Sequence, residues 1–154
     1  MANEEDSKKF NDFAIAFLKE AKEDLEIADI LIENKKYARV IFNSQQAVEK
    51  SIKSLLEMEK IFVAEHDMSS FFVKFIYNNE KYKDVKEKAE EILDCLTQFE
   101  GKWKGSRYPS QKKGKVVTPT EIYDKDDAEE SLNKANRVNE LVKEILLKKF
   151  KLKI

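Results

Sequence analysis

The chain has 154 residues, enough for one domain with a real hydrophobic core and no need of covalent staples. Hydrophobic residues make up 42% and charged residues 38%, with 29 basic against 30 acidic, which excludes the global basic excess of a dedicated DNA-binding domain. The first hundred residues contain neither Gly nor Pro, so no Gly-rich phosphate loop or GxGxxG turn exists there, and long uninterrupted helices are expected.

A first helix is predicted from about Ser7 to Glu33, with Ser7 as N-cap. Its apolar positions, from Phe10 through Phe13, Phe17, Leu18, Leu25 and Ile32, alternate in steps of three and four. Asn34-Lys35-Lys36 breaks it. A second helix follows from about Tyr37 to Lys60. Within it, Phe42–Leu56 reads FNSQQAVEKSIKSLL. Ile41, Gln45, Val48, Ile52 and Leu55 fall on one face, so Gln45 stands where the pattern asks for Leu. A buried amide without partners costs about 1–3 kcal/mol, so this helix should carry an organised polar site or a partner surface.

Asp67 is expected to cap a short third helix through Met68, Phe71, Phe72, Phe75 and Ile76, ended by Asn78-Asn79. A fourth helix is predicted from about Lys83 to Lys102, with Gly101 marking its end. Cys95, the only cysteine, lies on its apolar stripe beside Ile92, Leu96 and Phe99 and reads as core rather than nucleophile. One Cys and one His allow neither an internal disulfide nor a metal-ligand cluster, so no metal and no cofactor are expected.

Residues 101–123 form the one long irregular segment, GKWKGSRYPSQKKGKVVTPTEIY. It gathers Lys102, Lys104, Arg107, Lys112, Lys113 and Lys115 against a single acid, Glu121, and interleaves Trp103 and Tyr108. Loops of this length are usually functional or disordered. A last helix opens on a capping box, Asp124 with Asp127, and continues to Phe150. The reading is all-α: an antiparallel up-and-down bundle of about five helices forming one domain over 1–154, with a basic loop at 101–123. No signal peptide and no apolar run of membrane-spanning length is visible, so a cytoplasmic protein without membrane contact is expected.

Four pieces in order resemble a known family: FNSQQAVEKSIKSLL, the HDM of His66–Met68, the SRYP of Ser106–Pro109, and EIYDKDDAEESLNKA of Glu121–Ala135. Together they look like a HEPN domain of the small stand-alone prokaryotic kind. The resemblance covers nearly the whole chain. It implies a helical bundle that forms homodimers, and two functional themes. Many HEPN domains are metal-independent ribonucleases, often toxins, that use an Arg-x4–6-His motif. Others are non-catalytic companions of minimal nucleotidyltransferases, first proposed to bind nucleotides.

This chain departs from the ribonuclease pattern. Five to seven residues beyond Arg39, Arg107 and Arg137 stand Ser44–Gln46, Lys112–Gly114 and Val142–Glu144, and none of these is His. The weight therefore moves from cleavage to binding: a partner module for a nucleotidyltransferase, with a groove of Gln46, Lys50, Lys53, His66, Arg107 and Tyr108 taking a nucleotide or RNA phosphate. Two alternatives stay open. One is a ribonuclease in which His66 meets Arg107 in space, a base near the 2′-hydroxyl and a cation for the phosphorane charge. The other is a scaffold bundle without ligand.

Each residue also has a structural reading. His66 can simply pack at the start of the third helix. Arg107 can anchor its loop to a carboxylate such as Glu49. Gln46, Glu49, Lys50 and Lys53 can form ordinary i,i+3 and i,i+4 pairs. Lys112, Lys113 and Lys115 can be a solvated tip.

Overall fold

The structure, a computed structural model, describes residues 3–66 and 68–154. The expected cap Asp67 lies outside the described residues. Helix α1 spans Glu4–Glu33 and α2 spans Tyr37–Met58; the three-residue break predicted between them makes the two a helical hairpin. Helix α1 begins before Ser7, because the Asn3 side chain accepts from the Asp6 amide at 2.8 Å and Glu4, Glu5 and Asp6 favour the positive end of the helix dipole. Its buried residues Ala14, Leu18, Ala21, Leu25 and Ala28 recur at coiled-coil spacing. The alanines leave room for α2 beside them, and the Ser54 hydroxyl of α2 donates to the Ala14 carbonyl at 2.9 Å.

Beyond α2 the described residues 61–66 belong to no helix or strand; α3 (Ser69–Phe72) widens directly into a π-turn, Val73–Tyr77. A 3-10 stretch, Glu80–Val85, then leads into α4 (Lys86–Glu100). The long helix α6, Lys125–Phe150, starts at the Asp124–Asp127 capping box read from the sequence. It packs on α2 and also touches α1 and α4; Ala128, Leu132, Ala135, Val138, Val142 and Ile145 are buried along it, and the Asn139 amide donates to the Ser51 hydroxyl of α2 at 3.1 Å. One continuous apolar cluster links all four long helices, and Cys95 sits within it, its thiol pushed up by burial. No described helix is long and apolar enough to cross a membrane.

The helical bundle is as expected, but the segment predicted as an irregular loop is built. It holds a 3-10 turn (Lys104–Ser106), strands β1 (Ser110–Lys112) and β2 (Lys115–Val117), and a short helix α5 (Pro119–Ile122). The strands pair antiparallel around Lys113-Gly114, both at positive φ (50° and 78°), which is the geometry of a two-residue type I′ hairpin and the reason Gly114 is needed. Helix α5 has its own capping box, Thr118 with Glu121.

Candidate functional site

One row of α2, Gln45–Glu49–Lys53 at four-residue spacing, organises the site. Gln45 solves the problem its position posed. Its amide nitrogen donates to the carbonyls of Phe99 (3.3 Å) and Trp103 (3.0 Å), and its oxygen accepts from the buried Ser106 hydroxyl at 3.0 Å. Two carbonyls demand the NH2 and a hydroxyl donor demands the oxygen, so the orientation is fixed. Gln45 therefore clamps residues 99–106 to the bundle. On the other side the Tyr123 hydroxyl accepts from the Gly105 amide at 3.0 Å and donates to the Lys102 carbonyl at 3.2 Å. A Cβ on Gly105 would stand 3.0 Å from that hydroxyl, so only glycine fits there without displacement.

Held in this way, the chain presents Arg107 to Glu49. Glu49 is buried, with 9% of its side chain exposed, and three basic side chains converge on its carboxylate. Lys53 donates at 2.8 Å, His66 Nδ1 stands 3.0 and 3.1 Å from the two oxygens, and Arg107 lies 3.8 Å away. Because a carboxylate only accepts, Nδ1 is the donor to Glu49, and Nε2 is the ring nitrogen that this contact leaves unused. The Arg107 guanidinium also lies over the Phe42 ring, 5.1 Å from its centroid. His66, Arg107, Gln45, Phe99 and Glu100 line a cleft, and Lys104 and Tyr108 stand at its outer part. Glu100 is engaged by α3: the Ser69 amide and hydroxyl, at its start, donate to it at 3.2 and 2.5 Å.

The residues predicted from sequence thus separate into groups. The structure brings His66, Arg107 and Tyr108 to one cleft and ties Lys53 to the Glu49 oxygen that His66 also meets, while Lys53 itself does not line the cleft. Gln46 and Lys50 share a different row of α2, where Lys50 pairs with Asp24 of α1 at 2.6 Å, and neither lines the cleft. Arg107 does anchor to Glu49, the pairing foreseen as its structural role, yet at 3.8 Å the contact is loose and a quarter of the side chain remains exposed. Glu49 is the residue the sequence reading undervalued. Its signal was the i,i+4 spacing from Gln45, which places a carboxylate on the half-buried edge of the same polar row.

The HEPN domain family model matches residues 14–145. The chain belongs to the HEPN domain family. The Methanocaldococcus jannaschii protein named "Putative toxin MJ1304" is 36% identical to this HEPN protein over 141 residues, covering 92% of this chain and 93% of its relative. The solved structure titled "Crystal Structure of ST0689, an archaeal HEPN homologue" superimposes with a TM-score of 0.63 at 30% identity, covering 85% of this chain and 95% of that one. The resemblance drawn from four ordered motifs is therefore right at the family level, and the bundle is the HEPN fold.

Proposed function

We propose that this HEPN domain is of the toxin type and acts on RNA phosphodiesters at the Glu49–His66–Arg107 cleft. The observation that carries the reading is the His66 Nδ1–Glu49 hydrogen bond beside Arg107. It supplies, from residues distant in sequence, the base and the cation that the missing Arg-x4–6-His motif would have supplied together. In such a site Nε2 of His66 takes the proton of the 2′-hydroxyl and the 2′-oxygen bonds to phosphorus. The phosphorus–5′-oxygen bond breaks, and the 5′-oxygen leaves with a proton returned by the imidazolium. The products are a 2′,3′-cyclic phosphate and a 5′-hydroxyl. Arg107 offers charge to the non-bridging oxygens as negative charge builds on them, and Glu49 holds the imidazole tautomer and its orientation.

A second reading follows from the absent motif itself: a non-catalytic module that binds a nucleotide or RNA, works as a cytoplasmic homodimer, and partners a minimal nucleotidyltransferase. One experiment separates the two. The full chain is incubated with mixed RNA in EDTA, and its products are compared with those of His66→Ala and Arg107→Ala. The ribonuclease reading expects 2′,3′-cyclic phosphate ends from the wild type and at least a hundredfold slower cleavage by His66→Ala, consistent with the roughly 10²–10⁴-fold that a positioned acid or base contributes. No cleavage at high protein concentration, with a melting temperature that rises on adding nucleotide or RNA, overturns it in favour of the binding module.

A further inference from the structure

The segment after Arg107 carries chemistry that the Glu49 cleft does not use. Tyr108 stands at the outer rim beside Lys104 and Arg107 with 75% of its surface exposed, and among the described residues its hydroxyl makes no hydrogen bond. Pro109 follows, and the β1–β2 hairpin then leaves the rim with almost every residue exposed.

The hairpin places its charges in a way that folding does not reward. Lys112 and Lys115 are direct cross-strand partners, and like charges placed opposite each other in an antiparallel pair are destabilising. Lys113 occupies the turn between them at positive φ, where a residue other than glycine is uncommon. Among the described residues, none of Lys104, Lys112, Lys113 and Lys115 forms an ion pair, and no acidic residue occurs between Gly101 and Thr120. A merely solvated tip needs neither an ordered I′ turn nor a lysine pair held face to face. A polyanion brought alongside would relieve that repulsion.

We propose that Tyr108 and the hairpin form a subsite for the unpaired nucleotides that flank the phosphate held in the cleft. The Tyr108 ring stacks on one base, and Lys112, Lys113 and Lys115 receive the phosphates of the strand beyond it. Stacking on an exposed ring needs a free base face, so the subsite selects single strands over duplexes and tolerates any base. The proposal rests on the RNA reading of the cleft for its choice of ligand, and not on cleavage.

The test uses the full chain and a fluorescent RNA strand of about twelve nucleotides, 2′-O-methylated so that no 2′-hydroxyl attack occurs. Anisotropy is read at several salt concentrations. The single strand is expected to bind at least tenfold tighter than the same strand in a duplex. Tyr108→Ala is expected to weaken it about 5- to 100-fold while Tyr108→Phe preserves it, as base–aromatic stacking predicts. Changing Lys112, Lys113 and Lys115 together to Gln is expected to flatten the salt slope by up to about 2, roughly 0.7 for each phosphate contact of a single strand. These side chains are exposed, so the variants should melt with the wild type. Equal binding by Tyr108→Ala, an unchanged slope in the lysine variant, or equal affinity for duplex overturns the subsite. Tyr108-dependent binding by a protein that cleaves no unmodified RNA refutes the ribonuclease and leaves the subsite standing. Cleavage with Tyr108-independent binding does the reverse.

Discussion

Gln45 gives the sharpest test of how the cleft is built. Gln45→Leu restores the residue that the helical pattern asks for and keeps nearly the same volume. It also removes the acceptor of the Ser106 hydroxyl, which is fully buried, and the donor to the Trp103 and Phe99 carbonyls. Two of the three bonds are 3.0 Å long and the third, at 3.3 Å, is weaker. At about 1 kcal/mol net for each good bond, with desolvated groups left behind, the cost comes to about 2–3 kcal/mol. For a domain of this size that lowers the melting temperature by about 5–10 °C, measurable by far-ultraviolet circular dichroism. A double-mutant cycle with Ser106→Ala isolates the pair and should return a coupling of about 1 kcal/mol. A Gln45→Leu protein that melts with or above the wild type, or a coupling near zero, would refute the clamp and reopen α2 as a free polar surface.

Two further outcomes follow from the same geometry. Tyr123→Phe keeps the packing but removes the bonds to Gly105 and Lys102; it should cost about 1–2 kcal/mol and speed amide exchange at Gly105, and unchanged exchange would show that the other clamp suffices. Glu57, buried on α2, has its carboxyl raised above the ordinary range by desolvation, which Lys9 only partly offsets. The folded state therefore holds that proton more tightly than the unfolded state, and the strain appears as pH rises through and above the ordinary carboxylate range. Glu57→Gln should accordingly melt higher than the wild type at pH 7, with the advantage vanishing in acid; a lower melting temperature at pH 7 would show that the carboxylate has a stabilising partner.

The helices were legible because their determinants are local. The α1–α2 break at Asn34-Lys35-Lys36, the Asp124–Asp127 box and the core position of Cys95 all follow from spacing within a few residues. Gln45 was legible as an anomaly, although its partners were not. The cleft depends on contacts between distant segments, and no periodicity in the stretch after α2 says that His66 will reach Glu49. The hairpin escaped for a different reason. Its strands are three residues long, almost wholly exposed and mostly polar, so they lack the alternation that marks a half-buried strand, and its turn rests on Lys113 taking a backbone conformation usually left to Gly, Asn or Asp.

The convergence on Glu49 has a consequence for the order in which this protein comes into being. Glu49 and His66 leave the ribosome before Arg107, which follows Glu49 by 58 positions, and the Tyr123 hydroxyl that steadies Gly105 comes later still. A nascent chain stopped short of these residues carries the imidazole without its cation and the loop without its second clamp. The three-sided arrangement thus forms only once segments well separated along the chain have all been made, and a product that stops before Arg107 would not reproduce it.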